Sequence, residues 1–89
     1  MRRIFKYELM VTDFQTVNSY NYFKPLSIIV QDGRPMLYAM IDDETGSRQW
    51  PIRTYGTGQN VDDNECDEQF VGTYTLMEGI VVYHVFWRY

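Results

Sequence analysis

The stretch LSIIVQDGRPMLYAMI, residues 26–41, decides the fold of this chain. Two runs rich in apolar and β-branched residues, 26–31 and 36–41, flank Asp32-Gly33-Arg34-Pro35. Asp-Gly between two such runs is a strong hairpin signature, because both residues tolerate the positive φ of a tight hairpin turn. Both runs are apolar on both faces. This predicts a hairpin that is central in its sheet or covered on each side.

The rest of the sequence predicts further strands. Apolar and polar residues alternate over 4–11 and 48–55, and two more strands, 69–76 and 80–87, are joined by Met77-Glu78-Gly79. Residues 14–24 have no clean period and are predicted to form a long connection, with a short strand at 15–17 as an option. No segment has a convincing 3.6-residue period. We therefore predict an all-β fold, a small antiparallel sandwich or barrel of about six strands.

The length and charge of the chain limit its organisation and partners. Eighty-nine residues are enough for one domain, which we assign to 1–89. The net charge of −4 comes from one acidic loop, without which the rest would carry about +1. That loop contains Asp62, Asp63, Glu65, Asp67 and Glu68. No basic stripe is present, so polymeric nucleic acid is not an expected partner, whereas a small anion held by a few arginines is permitted.

The acidic loop has two interpretations. Its oxygen ligands suit calcium, but its spacing lacks the alternation and mid-loop glycine of an EF-hand, which favours a solvated loop. Cys66 is the single cysteine, so no intramolecular disulfide forms, and a reducing cytoplasm is the simplest compartment. No segment approaches the roughly 20 apolar residues of a membrane span. We expect a soluble protein with no metal site.

Residues suited to catalysis are few. The sequence shows no nucleophile paired with a base, no pair of catalytic carboxylates and no set of metal ligands. We therefore predict that the protein is not an enzyme and has no cofactor. His84, the single histidine, lies in an apolar strand; a core or interface role is favoured, and a catalytic role stays open.

Arg53-Thr54-Tyr55-Gly56-Thr57-Gly58 is the best candidate for a binding site. Two glycines let the backbone turn tightly and approach a ligand, a hydroxyl and N–H groups can face an anion, and an arginine can contact phosphate. The alternative is a strand that ends in an ordinary turn. Pro51 cannot donate to a β-ladder, which predicts an edge or bulged strand here and hence an accessible turn.

Aromatic residues extend the candidate site. Fifteen of the 89 residues are Phe, Trp or Tyr, and stacking platforms beside arginines suit a nucleobase with its phosphate. The candidate ligand-binding residues are Arg53, Tyr55, Gly56, Thr57, Gly58, Tyr7 and Trp87. The final strand, 80–87, is apolar on both faces, which predicts burial between subunits and therefore a homo-oligomer.

Five segments of the chain form a recognisable set: Lys6-Tyr7-Glu8-Leu9 with Thr12-Asp13 and Gln15-Thr16-Val17, then Val30-Gln31-Asp32-Gly33-Arg34-Pro35 with Leu37-Tyr38-Ala39, then Arg53 to Gly58, then Phe70-Val71-Gly72-Thr73, and finally Tyr83-His84-Val85-Phe86. Together they resemble a small family of mostly phage-encoded β-proteins of this length, similar to the anti-CBASS nucleotide sponges. These segments span nearly the whole chain in order.

The resemblance implies a function. Sponges of this kind assemble as oligomers and sequester cyclic dinucleotide immune signals, such as cyclic GMP-AMP, without cleaving them. The resemblance therefore implies a role in immune evasion in the host cell cytoplasm. The expected assembly is a tetramer in preference to a dimer. The alternative is a protein-binding inhibitor or virion accessory that acts through its aromatic strands and acidic loop.

Overall fold

The computed structural model describes residues 1–61 and 67–89, which form seven β-strands in two antiparallel sheets. The strands are β1 Arg2–Glu8, β2 Phe14–Tyr20, β3 Phe23–Gln31, β4 Arg34–Asp42, β5 Ser47–Gly56, β6 Gln69–Leu76 and β7 Val81–Trp87. Sheet A has the order β1-β4-β3, and sheet B has the order β2-β5-β7-β6. The all-β prediction is confirmed, and the two sheets form a sandwich.

The central hairpin forms as predicted. Gln31 pairs with Arg34, so Asp32 and Gly33 alone make the turn, with φ angles of 53° and 76°. Positive φ at both central residues is the geometry of a type I′ turn, whose twist matches that of the strands it joins. In sheet A, β4 is central and β3 lies at an edge, and only the inner face of β4 is fully buried. The hairpin was expected to be central or covered on each side. The β4 strand is central as expected, whereas β3 is an edge strand and the outer face is not fully buried.

Two other expectations need correction. Residues 14–20, predicted as part of a connection, form the whole strand β2, which pairs with β5 from Phe14↔Arg53 to Tyr20↔Ser47. The β5 strand is interior to its sheet, although Pro51 suggested an edge. The reason is local: β7 pairs only with residues 52–56 of β5, so Pro51 lies in the half of the strand that has β2 alone as neighbour. A missing N–H is tolerated there.

One apolar core lies between the inner faces of the sheets. Its buried members are Leu9, Val17, Phe23, Leu37, Ala39, Ile41, Trp50, Ile52, Tyr74 and Val85. Phe23 of sheet A stacks on Trp50 of sheet B at 5.2 Å between ring centroids, and the Trp50 indole N–H donates to the Tyr20 carbonyl at 2.8 Å. Burial of each large side chain contributes about 2 kcal/mol, so this core holds the two sheets together.

Strand alternation gives each sheet a distinct outer face. The outer face of sheet A, from strands β1, β3 and β4, includes Ile4, Ile29, Met36, Tyr38 and Met40. The outer face of sheet B includes Phe14, Arg53, Tyr55, Phe70, Thr73, His84 and Phe86. The residues proposed from the Arg53 to Gly58 motif therefore belong to sheet B.

Candidate functional site

Arg53 and Tyr55 share the outer face of sheet B, as their spacing predicts. They alternate along β5 with Ile52 and Thr54, which are 0% and 3% exposed on the inner side. Phe14 of β2 lies opposite Arg53. The β7 strand places Phe86 on the other side of Arg53 and His84 beside Tyr55. Antiparallel pairing thus surrounds the arginine with aromatic rings from two neighbouring strands.

Glu68 joins Arg53 and Tyr55 into one polar cluster. Its side chain is only 6% exposed, and its Oε1 accepts a hydrogen bond of 2.7 Å from the Tyr55 hydroxyl. Its Oε2 lies 3.9 Å from the Arg53 Nε. The sequence placed Glu68 in a solvated acidic loop, and this expectation was wrong, because the carboxylate packs under the arginine. The remainder of that prediction, including the calcium alternative, falls on residues 62–66, which lie outside the described residues.

A cavity of about 300 Å³ opens beside this cluster. We call it the Arg53 cavity, and it is lined by Phe14, Pro51, Arg53, Glu68 and Arg88. The Arg53 guanidinium carbon lies 5.6 Å from the centre of the Phe14 ring. The lining therefore combines two guanidinium groups, one carboxylate, an aromatic ring and a proline ring, which are groups that recognise anions and flat heterocycles.

The Gly56-Thr57-Gly58 turn is stabilised by hydrogen bonds within the protein. The Gln59 N–H donates to the Gly56 carbonyl at 3.0 Å, and Gly58 has a φ of 87°, as the third position of a type II turn requires. The Gly56 N–H donates to the Gln59 Oε1 at 2.9 Å, and the Thr57 N–H donates to the Val82 carbonyl at 3.1 Å. These N–H groups are therefore bonded already, which does not fit the expected anion cradle at Gly56 and Thr57.

A second cavity, of about 270 Å³, lies beside the turn. We call it the turn cavity, and it is lined by Tyr55, Gly56, Thr57, Gly58, Gln59, Val61, His84 and Phe86. Arg53 therefore lines one cavity and Tyr55 the other, whereas the turn lines the turn cavity and also a wider cavity of about 660 Å³ on the side of residues 80–83. The hydrogen bond from Tyr55 to Glu68 joins the two linings.

His84 connects three segments of sheet B. Its Nε2 lies 2.8 Å from the Thr57 Oγ1, and its Nδ1 lies 3.0 Å from the Thr73 Oγ1. Each hydroxyl can donate or accept, so either tautomer of the ring is accommodated. The histidine is half-buried on the outer face and is not in the core. We call Thr57, His84 and Thr73 the His84 array. The sequence did not predict it, because it depends on the pairing of β7 with β6 and with the end of β5.

Tyr7 and Trp87 lie elsewhere. The Tyr7 hydroxyl is 2.6 Å from the Ser19 Oγ, and its ring packs edge-on against Phe23. Trp87 packs edge-on against Trp50 at 5.5 Å between ring centroids. Both belong to the wall of the core, so the structure does not bring them together with Arg53. Sequence reasoning also missed Phe14, Glu68 and Arg88, which only strand pairing and the chain ends bring to the Arg53 cavity.

Within residues 1–61 and 67–89, no three His, Cys, Asp or Glu residues are grouped so as to hold a metal ion. The same residues include no helix with the length and apolar character needed to cross a bilayer.

No curated protein and no solved structure is detectably similar to the chain. A family model described as a domain of unknown function, DUF7352, matches residues 1–89, and the chain belongs to that family.

Proposed function

We propose that this chain binds a small nucleotide in the Arg53 cavity and holds it without cleaving it. The ligand class we propose is the cyclic dinucleotide immune signal, such as cyclic GMP-AMP, and the role is immune evasion by a phage in the cytoplasm of its host. The observation that carries this proposal is the lining of the cavity, where Arg53 and Arg88 accompany the Phe14 and Pro51 rings.

The chemistry of this lining suits a nucleotide. Guanidinium groups bind phosphate through paired, charge-assisted hydrogen bonds, and the Phe14 ring offers a face on which a base stacks. Two guanidinium groups and the Glu68 carboxylate leave the lining with a net charge of +1. A volume of about 300 Å³ is at the small end of ligand sites and suits one nucleotide unit.

Glu68 prepares the arginine for binding. A carboxylate 3.9 Å from the Arg53 Nε restricts the rotation of a long side chain that would otherwise lose much of its freedom on binding. The Tyr55 hydroxyl in turn fixes the carboxylate. A preorganised arginine favours tight capture, which is what sequestration requires.

The proposal is capture without turnover. His84 has hydroxyl partners on both ring nitrogens, whereas a histidine that acts as a general base is commonly oriented by a carboxylate. The arginines that we assign to the ligand line a different cavity from His84. The geometry therefore favours binding over chemistry at the phosphate.

The proposed protein is a homo-oligomer, a tetramer in preference to a dimer. The sequence predicted subunit contact at the final strand, but His84 and Phe86 on the outer face of β7 line the turn cavity. We therefore propose that a second copy covers the outer face of sheet A instead.

Ile4 and Ile29 on the outer face of sheet A are 61% and 47% exposed. Met40 lies opposite Ile4, and Met36 lies opposite Ile29, so apolar side chains adjoin one another in two cross-strand pairs. The same face also carries charged side chains, including Lys6, Glu8 and Lys24. Association of identical sheets would bury this surface and leave the cavities of sheet B open to ligand.

Calorimetric titration tests the proposal. The full chain is titrated with cyclic GMP-AMP, cyclic di-GMP and cyclic di-AMP, and with guanosine as an uncharged control. We expect binding of at least one cyclic dinucleotide, no binding of guanosine, and recovery of the bound ligand intact by mass spectrometry. Absence of binding to all three contradicts the proposal, as does recovery of cleaved ligand. A stable protein partner from infected cells, with no bound nucleotide, would support an inhibitor or virion accessory instead.

A further inference from the structure

We propose that the turn cavity is a second subsite, which takes the second nucleobase of a ligand whose first nucleotide unit occupies the Arg53 cavity. This inference rests on the proposed function and deepens it, because it specifies how a ligand with two bases is distinguished from a mononucleotide. It also gives a role to the His84 array, which phosphate binding at Arg53 does not use.

The two cavities are placed to hold one ligand. Arg53 and Thr57 lie on the same chain segment, four residues apart, which corresponds to about 13 Å along an extended strand. Both cavities open on the outer face of sheet B, and the hydrogen bond from Tyr55 to Glu68 joins their linings. A ligand with two linked heads can therefore contact both linings at once, and its second head binds at high effective concentration.

The lining of the turn cavity suits a flat heterocycle. Phe86 is half-buried and packs edge-on against Tyr55 beside the glycine turn, with ring centroids 5.7 Å apart. Tyr55 is only 4% exposed, so Phe86 supplies most of the aromatic surface of this cavity. Polar recognition comes from the Thr57 hydroxyl, which lies 2.8 Å from the His84 Nε2. Aromatic surface with a small number of placed polar groups is the usual composition of a ligand subsite.

The His84 array also predicts tolerance at this subsite. A threonine hydroxyl rotates and acts as donor or acceptor, and the imidazole ring changes tautomer to match it. The array of Thr57, His84 and Thr73 can therefore present either a donor or an acceptor to the ligand. Adenine and guanine differ in this respect on their hydrogen-bonding edges, and the subsite is expected to accept both.

The experiment compares a cyclic dinucleotide with guanosine monophosphate on three proteins: the wild type, Thr57→Val and a matched control, Thr75→Val. Thr57 is exposed in the turn, and Thr75 is an exposed threonine of β6 that lines neither cavity. We expect the wild type to bind cyclic di-GMP at least tenfold more tightly than the mononucleotide. Thr57→Val should reduce that advantage by about fivefold without changing mononucleotide affinity, since one hydrogen bond is lost.

The outcomes separate the two proposals. Failure of the wild type to bind any of the three cyclic dinucleotides overturns the proposed function together with the subsite. Equal affinity of the wild type for both ligands overturns the subsite alone, as does a loss for Thr57→Val that is the same with both ligands or matched by Thr75→Val. His84→Gln gives an independent variant, for which a selective loss of dinucleotide affinity supports the subsite and unchanged selectivity overturns it.

Discussion

The outer faces of the two sheets differ, although they cover the same core. Sheet B carries the Arg53 cavity, which Arg53 and the carboxylate of Glu68 line, and beside it the turn cavity, which Tyr55, His84 and Phe86 line. Sheet A carries exposed apolar side chains, of which Ile4 and Ile29 are the most open on its outer face. Polar groups that converge in a concave site indicate recognition of a small ligand, whereas adjoining apolar side chains on a sheet indicate association. One small fold thus separates two kinds of surface.

An arginine–glutamate pair on each sheet makes the difference measurable. On sheet B, Glu68 lies 3.9 Å from Arg53 and is 6% exposed. On sheet A, Glu8 lies 3.2 Å from Arg34 and is 53% exposed. The pair with the shorter distance is the more exposed to solvent, so distance alone does not show which pair contributes more to stability. The degree of burial shows it, because solvent screens an exposed pair and makes its contribution small.

The largest expected effect is on assembly. The double substitution Ile4→Glu with Met40→Glu places two charges in the proposed contact of sheet A, and we expect the oligomer to dissociate to a species of at most half its mass. Size-exclusion chromatography with light scattering measures the mass. Phe70→Glu is the matched control, since Phe70 is 59% exposed on the outer face of sheet B, against 61% for Ile4. Dissociation by Phe70→Glu, with an intact oligomer in the double variant, would move the interface to sheet B.

The next effect is on ligand affinity. Arg53→Ala removes a guanidinium from the Arg53 cavity, and we expect cyclic dinucleotide affinity to fall by about thirtyfold, because hydrogen bonds to charged groups contribute about 2 kcal/mol. Arg34→Ala removes an arginine with the same charge from sheet A, where its side chain is 66% exposed. Calorimetry should show little change for the control. Equal losses in the two variants would indicate general attraction of anions and no defined site.

A third prediction concerns stability and uses the two glutamates. Glu68→Ala leaves the buried Tyr55 hydroxyl without the acceptor that it has at 2.7 Å, and we expect the free energy of unfolding to fall by about 2 kcal/mol. Glu8→Ala, on the exposed pair, should change it by less than about 0.5 kcal/mol. Urea unfolding of the two variants measures both values. Similar values would mean that burial does not distinguish the two pairs.

The sequence predicts the strands better than it predicts their surroundings. Alternation and the Asp32-Gly33 turn identify the sheet A hairpin, because these signals are local. The β2 strand was predicted only as an optional short strand at 15–17, since residues 14–20 alternate weakly and the hydrogen bonds that fix the whole strand come from pairing with β5. Pro51 suggested an edge because sequence does not reveal where the pairing of β7 begins.

The candidate site was predicted in part for the same reason. Arg53 and Tyr55 alternate with buried residues of their own strand, so their common face follows from period two. Glu68 comes 13 positions after Tyr55, and nothing local distinguishes it from the acids that precede it. Tyr7 and Trp87 share the composition expected of a stacking platform, but the same rings also fill cores, and packing between the sheets decides which role they take.

The smallest expected effect tests the core that both faces share. Among the described residues, the Tyr74 hydroxyl is buried without a hydrogen-bond partner, and burial raises the tyrosine pKa above its ordinary value of 10.0. The folded state therefore favours the protonated phenol, so the stability of the wild type falls as the pH rises above 10.0, where the unfolded chain ionises. Tyr74→Phe removes a buried polar group and should raise the free energy of unfolding at neutral pH by up to about 1 kcal/mol. The substitution should also reduce the amount by which the free energy of unfolding falls above pH 10.0. Urea unfolding of both proteins at a series of pH values measures this fall. If the free energy of unfolding falls equally with pH in both proteins, or if Tyr74→Phe is less stable than the wild type, the Tyr74 hydroxyl is hydrogen-bonded in solution.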